Sequence, residues 1–213
     1  MEEITSREKV LKKIRGALLA KNENPYPSLD SESNVYQDIT DSYDITFAKE
    51  FTRVAGQFVY CESEADLRNN LITLMEEKQW DDVYCIDPEI ISMLDHSGIK
   101  IQSDPDAFDS MGPGITQCEF LIARFGSIMV SSKQSSGRRM NVFPESHIVV
   151  ARTNQIVPEI KDALAGIRNK YEGNLPSMIS LITGPSRTAD IEKTLVMGAH
   201  GPKELYLFLL DQE

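Results

Sequence analysis

The stretch Leu181-Ile182-Thr183-Gly184-Pro185-Ser186-Arg187-Thr188-Ala189-Asp190-Ile191-Glu192 is soon followed by Gly198-Ala199-His200-Gly201-Pro202-Lys203 and the apolar run Leu205–Leu210. A run of apolar residues stopped by a Gly-Pro turn reads as a buried strand, Met178–Thr183. Hydroxyl residues then sit where a helix would begin, so Thr188–Met197 reads as a short helix ending at Gly198. Leu205–Leu210 reads as the next buried strand. Strand, helix and strand form the unit of a parallel sheet, which sets the class as α/β.

The same rhythm runs back along the chain. Phe47, Phe51 and Val54 form a helical stripe that stops at Gly56, and Phe58–Cys61 is a short strand. Ser63 and Asp66 resemble a capping box for a helix carrying Leu67, Leu71, Leu74 and Met75. Val83–Ile86 is a strand, Asp87-Pro88 opens a helix that ends at Gly98, and Ile99–Ile101 is another strand. Phe120–Ala123 and Ser127–Ser131 read as two short strands meeting at the Gly126 turn. His147–Ala151 is a strand. Ile156, Ile160, Leu164, Ile167 and Tyr171 mark a helix with Pro158 in its first turn. Together these predict a Rossmann-like, mostly parallel sheet flanked by helices. Ahead of it, Val10, Leu11, Ile14, Ala17 and Leu18 mark an amphipathic helix over Thr5–Ala20, and Lys21–Tyr43 is polar and proline-bearing. Residues 1–43 are therefore expected to be a helix and linker, and residues 44–213 the α/β domain.

The 213 residues carry 22 bases against 33 acids, a net charge of −11. That balance argues against nucleic acid as the main partner, since phosphate backbones call for a basic stripe. The charge is uneven. Residues 1–21 hold six bases and three acids, residues 22–119 five and 21, and residues 120–213 eleven and nine. Anion binding is thus expected in the last third. No apolar stretch approaches the ~20 residues of a membrane-spanning helix, and the N-terminus lacks the apolar segment of a signal peptide. Cys61, Cys85 and Cys118 fit no disulfide, zinc or iron–sulfur spacing. A reduced, cytoplasmic chain is the expectation.

Three segments carry candidate chemistry. A helix starting after Gly184 and Pro185 would offer unpaired amides to an anion, with Ser186, Arg187 and Thr188 adding donors. The plainer reading is that Ser186 or Thr188 caps the helix while Asp190 and Glu192 complement its dipole. His200 stands between Ala199 and Gly201 just before a buried strand, placed to point an imidazole into a cleft, although a surface turn explains it equally well. The small, polar, basic stretch Ser131–Arg139 ends in Arg138-Arg139 and suits a mobile loop closing over an anion, against the alternative of a solvated loop. His147 reads as a packed structural residue. Three scattered histidines argue against a metal site. Gly-x-Gly-x-x-Gly, Walker A and Gly-x-Ser-x-Gly motifs are absent.

Thr183–Glu192 followed by Gly198–Leu205, with Gly137-Arg138-Arg139 and with Pro144 ahead of His147-Ile148-Val149-Val150, resembles the LUD domain family. Within it, the branch of lactate utilisation protein C is the most similar. The resemblance runs from about Phe47 to the C-terminus. It implies a fold similar to the NagB/RpiA/CoA-transferase group. The candidate ligand-binding residues are Gly126, Ser127, Gly184–Thr188, Arg138 and Arg139, with His147, Asp190, Glu192 and Gly201 in supporting positions, and the resemblance does not itself supply their chemistry. The family commonly carries Glu-Thr-Gly-Thr where this chain has Arg124-Phe125-Gly126-Ser127, so the acid and the first hydroxyl are lost. The resemblance further implies a role in oxidising L-lactate to pyruvate beside two iron–sulfur proteins. With three dispersed cysteines, this chain would hold no cluster itself and would serve as a non-redox accessory subunit, with a small anion, the iron–sulfur proteins and a second copy of itself as the expected partners. The alternative is a stand-alone transferase- or isomerase-like enzyme acting on a phosphorylated or CoA-linked carboxylic acid, with His200 as the acid–base group.

Overall fold

A computed structural model describes residues 5–19, 36–104, 111–188, 196–198 and 200–212. The chain forms two compact units, Met1–Asp38 and Ile39–Glu213. In the first, helix α1 (Ser6–Leu19) is opened by a reciprocal cap. The Thr5 amide donates to Glu8 Oε2 at 2.9 Å and the Glu8 amide to Thr5 Oγ1 at 3.4 Å.

The second unit begins with α2 (Tyr43–Arg53), whose Phe47 and Phe51 are buried and stacked 5.4 Å apart. Strand β1 (Gln57–Cys61) follows, then α3 (Glu64–Lys78). Ser63 caps α3 by accepting from the Asp66 amide, while the Asp66 carboxylate accepts from the Glu62 amide rather than from that of Ser63. Strand β2 (Val83–Tyr84) leads into α4 (Pro88–Met93), with Asp87 as its cap and proline at its first position. This helix ends at Met93, not at Gly98, because His96 takes a left-handed φ of 62° and breaks the ladder. Strand β3 is Ile101–Gln102. Strand β4 (Gly114–Gln117) is absent from the sequence expectation. Strands β5 (Phe120–Ile122) and β6 (Ser127–Ser131) are antiparallel about the Gly126 turn, as expected.

Strand β7 (Ser146–Arg152) is followed by β8 (Ile156–Val157) and α5 (Ile160–Tyr171). Ile156 and Pro158 thus precede the helix instead of opening it. Strand β9 is Ile179–Ile182. The helix expected over Thr188–Met197 is not what its described ends show. Residues Arg187–Thr188 (β10) and Val196–Met197 (β11) pair as an antiparallel ribbon. Asp190 and Glu192, within residues 189–195, lie outside the described residues. Strand β12 (Glu204–Leu210) closes the fold.

The main sheet has the order β1-β12-β7-β4-β2-β3, with every pair parallel. A second sheet, β8-β5-β6-β9, is mixed. Strand β12 alternates between two cores. Tyr206, Phe208 and Leu210 join the α3 and α4 residues Leu67, Leu71 and Ile90, while Leu205, Leu207 and Leu209 join Phe47, Leu121, Ile128 and Val130. A strand covered on both faces reads as continuous apolar sequence, which Leu205–Leu210 does. Ile122 and Met129 of the second sheet pack against Ala163 and Ile167 of α5. The layers are therefore helices, parallel sheet, mixed sheet and helix. Among the described residues no helix is long and apolar enough to cross a membrane.

The topology marks one end of this sheet. From β2 the chain moves outward to β3, then returns to the other flank of β2 as β4 and fills inward to β7 and β12. The order reverses between β2 and β4, so the carboxyl ends of these two strands form a topological switch point, where open α/β sheets bind ligands.

Candidate functional site

The sequence-expected residues fall at several places. The Gly184 stretch and the His200 turn do converge, at the amino ends of β7 and β12. The Ser186 amide donates to the Pro202 carbonyl at 2.8 Å, and the Gly198 amide donates back to Ser186 at 2.9 Å. A Cβ on Gly201 would stand 3.2 Å from Ser186 Cβ. His200, Gly201 and Lys203 line a cleft of about 250 Å³ with Glu145, Phe143 and Pro144. Lys203 Nζ is paired with Glu145 Oε1 at 2.6 Å.

The donors expected to cradle an anion here have partners within the protein. Arg187 donates to the Val54 carbonyl at 2.6 Å, at the end of α2. Gly184, with φ of 75°, brings its backbone so close that a Cβ would stand 2.2 Å from that same carbonyl oxygen. Pro185 is buried, and Thr188 pairs with Val196. The Ser186 amide is used by Pro202. The geometry is a knot tying the β10–β11 ribbon to α2 and to the start of β12.

Gly126 and Ser127 are also structural. Gly126 has φ of 57°, and a Cβ there would lie 2.2 Å from the Phe51 amide nitrogen, so only glycine lets the turn meet α2. Ser127 is buried and shares a 2.8 Å hydrogen bond with Thr183 Oγ1. The departure from the family pattern is absorbed close by. Arg124 forms a 2.7 Å ion pair with Glu159 ahead of α5, and Phe125 packs in the α5 core. His147 is fully buried, with Nε2 2.8 Å from Thr116 Oγ1 and no hydrogen bond at Nδ1. Desolvation holds its pKa down at about 4, so it is neutral at physiological pH.

The loop Ser131–Arg139 leads elsewhere, to the opposite end of the sheet. It is pinned rather than free-standing. Gln134 Oε1 accepts from the Ser131 amide at 2.9 Å, Ser132 shares a 3.1 Å hydrogen bond with Ser177, and Arg138 donates to Ser177 Oγ at 2.5 Å. Arg138 and Arg139 are not among the residues that line the space this loop covers. That space is a crevice of about 460 Å³ at the switch point. Asp87 and Gln117 come from the carboxyl ends of β2 and β4, Glu89 from α4, Lys133 from the loop, and Lys170 and Tyr171 from the end of α5. Given the seven residues of β7, it lies roughly 20 Å from the His200 cleft.

Beneath the crevice Glu119 is buried. It accepts from Ser131 Oγ at 2.6 Å, Tyr171 Oη at 2.6 Å and Lys170 Nζ at 2.7 Å. Desolvation pushes its pKa up, but the bonds from Lys170, Ser131 and Tyr171 outweigh burial and hold it below the ordinary carboxylate value. Lys170 is correspondingly raised, desolvation working against Glu119 and losing. Sequence reasoning read Asp87 only as a helix cap and missed Gln117, Glu119, Lys170 and Tyr171. The available signal was a carboxylate directly after a strand, Val83–Asp87. Strand β4 itself, Gly114-Ile115-Thr116-Gln117, has no apolar run to announce it. Among the described residues no three His, Cys, Asp or Glu side chains gather as a metal site.

The main sheet also has counterparts elsewhere. A crystal structure of a DUF162 family protein from Deinococcus radiodurans superposes with a TM-score of 0.59 over 79% of this chain and 96% of that one, at 16% identity. That likeness supports the Rossmann-like fold. Lactate utilization protein C of Geobacillus kaustophilus is 36% identical over 110 residues, and that of Bacillus subtilis 37% over 102 residues. These stretches cover 50% and 46% of this chain, and 46% and 42% of the relatives, so the matched part spans somewhat under half the length of either. The description of the LUD domain matches residues 46–210, nearly all of the second unit. The chain belongs to the LUD domain family, and its curated relatives lie on the lactate utilization protein C side of it.

Proposed function

We propose that this protein is a non-redox subunit or accessory protein of an iron–sulfur system that oxidises L-lactate to pyruvate, and that it binds a small anion. The observation that carries this is the family match over 46–210 together with relatives named for lactate utilization. The thiols support a non-redox role. Cys61, Cys85 and Cys118 are all buried, in separate parts of the cores. In this reading the iron–sulfur clusters belong to partner proteins, and the setting is the cytoplasm. The carboxyl-edge crevice supports the anion, because Lys133 brings an ammonium group with no ion pair or side-chain hydrogen bond among the described residues.

The test is co-purification. The tagged full chain should retain the iron–sulfur proteins of its host, and deletion of its gene should abolish growth on L-lactate while leaving growth on glucose intact. Normal growth on L-lactate after deletion would overturn the reading.

A second reading is favoured by the His200 cleft. A stand-alone enzyme acting on a phosphorylated or CoA-linked carboxylic acid would use His200 as acid–base, with the acid seated in the cleft that His200 lines with Gly201 and Lys203. It requires turnover with a pH profile that disappears in His200→Ala.

A further inference from the structure

We propose that the apolar stripe of α1 docks into a groove beside β3 on a second copy of this chain, two copies exchanging helices to form a twofold dimer. The proposal is independent of the lactate reading and of the crevice at the switch point.

Helix α1 has an apolar stripe in need of cover. At about 3.6 residues per turn, Val10, Leu11, Ile14, Ala17 and Leu18 share one side, flanked by Lys13 and Arg15. None of its residues is buried, and Leu11, Ile14 and Leu18 are 44%, 49% and 77% exposed. A helix of 14 residues with Gly16 in its interior is marginal by itself in water. Arg7, Lys9, Lys12, Lys13 and Arg15 stand against Glu8 alone, so two such helices repel each other. The surface that suits α1 is therefore apolar with an acidic rim.

The second unit carries such a surface. After α3, Gln79 takes a left-handed φ of 58°, and the Trp80 amide donates to the Met75 carbonyl at 2.9 Å. The Trp80 ring packs edge-on against Tyr206, with centroids 6.1 Å apart. Residues 97–100 lead into β3, the edge strand of the main sheet. The end of α3 and this segment line a groove of about 350 Å³, whose apolar residues are Ile72, Met75, Trp80 and Ile99. Glu76 and Asp81 also line it and are exposed, against one base, Lys100.

Helix and groove match in pattern and in charge. An amphipathic helix laying residues at i, i+3 and i+7 into an apolar groove is a general mode of recognition, and Leu11, Ile14 and Leu18 have that spacing. Lys13 and Arg15, on the flanks of the stripe, are the bases that then meet Glu76 and Asp81. Each copy brings one helix and one groove, so reciprocal exchange satisfies both and closes the assembly as a dimer.

The test is light scattering of the full chain after size exclusion. The wild-type chain should show twice the chain mass and dissociate on dilution. Leu11→Asp with Ile14→Asp should give a monomer. Glu76→Lys with Asp81→Lys should weaken the dimer by about tenfold or more, and adding Lys13→Glu with Arg15→Glu should restore it. An equal mixture of the helix variant and the groove variant should dimerise, because one intact helix still meets one intact groove. Cooperative melting of each variant reports that it folds. A monomeric wild-type chain would overturn the proposal, whether its helix docks within the same chain or on phosphatidylserine vesicles. A groove variant as dimeric as the wild type would do the same, as would a dimeric helix variant or a mixture that stays monomeric.

Discussion

Lys170 Nζ and Glu119 Oε2 meet at 2.7 Å, joining the end of α5 to the residue before β5, with the Glu119 side chain wholly buried and Lys170 half exposed. This pair fixes the floor of the crevice, and it sets an energetic asymmetry. A buried carboxylate with its cation is tolerable, but one without it is costly.

Lys170→Met should therefore destabilise the fold by about 1–3 kcal/mol, less than for a fully buried pair because Lys170 reaches solvent. Lys170→Met combined with Glu119→Gln should recover most of that loss. Gln keeps Oε1 for Ser131 and Tyr171 and removes the stranded charge. Urea unfolding of the single and double variants measures both, and a double variant no better than Lys170→Met would contradict the account.

His147 predicts an acid-side loss of stability. Its folded pKa of about 4 lies below the ordinary value of 6.5. Above pH 6.5 both states are neutral and the full stability is present. As pH falls from 6.5 toward 4 the unfolded chain takes up a proton that the folded chain refuses, so stability drops, by up to about 3 kcal/mol. Denaturant midpoints between pH 7.5 and 5 should show this slope, and it should flatten in His147→Gln.

Two glycines should be far less replaceable than a third with similar backbone angles. Gly126→Ala and Gly184→Ala combine a left-handed φ with a Cβ driven to 2.2 Å from α2 backbone atoms. Gly137 has φ of 65° but open space around it. Alanine at Gly137 should cost about 1 kcal/mol, and at the other two positions about 3 kcal/mol or more. Equal costs at all three would mean that α2 yields to the added methyl.

The cysteines should be inert in the native state. Burial pushes the Cys85 thiol up to about 11 and raises Cys118 and Cys61 as well. Ellman's reagent should find essentially no reactive thiol in the folded protein and all three in urea. Rapid reaction of any one without denaturant would show an opening at that site.

The elements legible from sequence share a physical origin. The α2 stripe Phe47-Phe51, the Ser63 cap and the Asp87-Pro88 start arise from contacts within a turn or two of chain. The twofold-buried strands β7 and β12 declare themselves by continuous apolar residues. Where the reading failed, local pattern was ambiguous. Ile156-Val157 suited a helix stripe equally well but pairs with β5, and Arg187-Thr188 suited a helix cap but pairs with β11.

By itself, the order of residues determined the α/β class, the family, the capped helices and the buried strands, because periodicity and capping are short-range interactions. Only the tertiary structure decided that Arg187 binds Val54, that Gly126 is a seat for α2, and that Lys133, Lys170, Asp87 and Gln117 share one crevice. Those relationships depend on strand order and on which ends of the strands lie together. Contacts between residues far apart in the chain, each weak alone and decided by the packing of whole layers, leave no mark in local sequence.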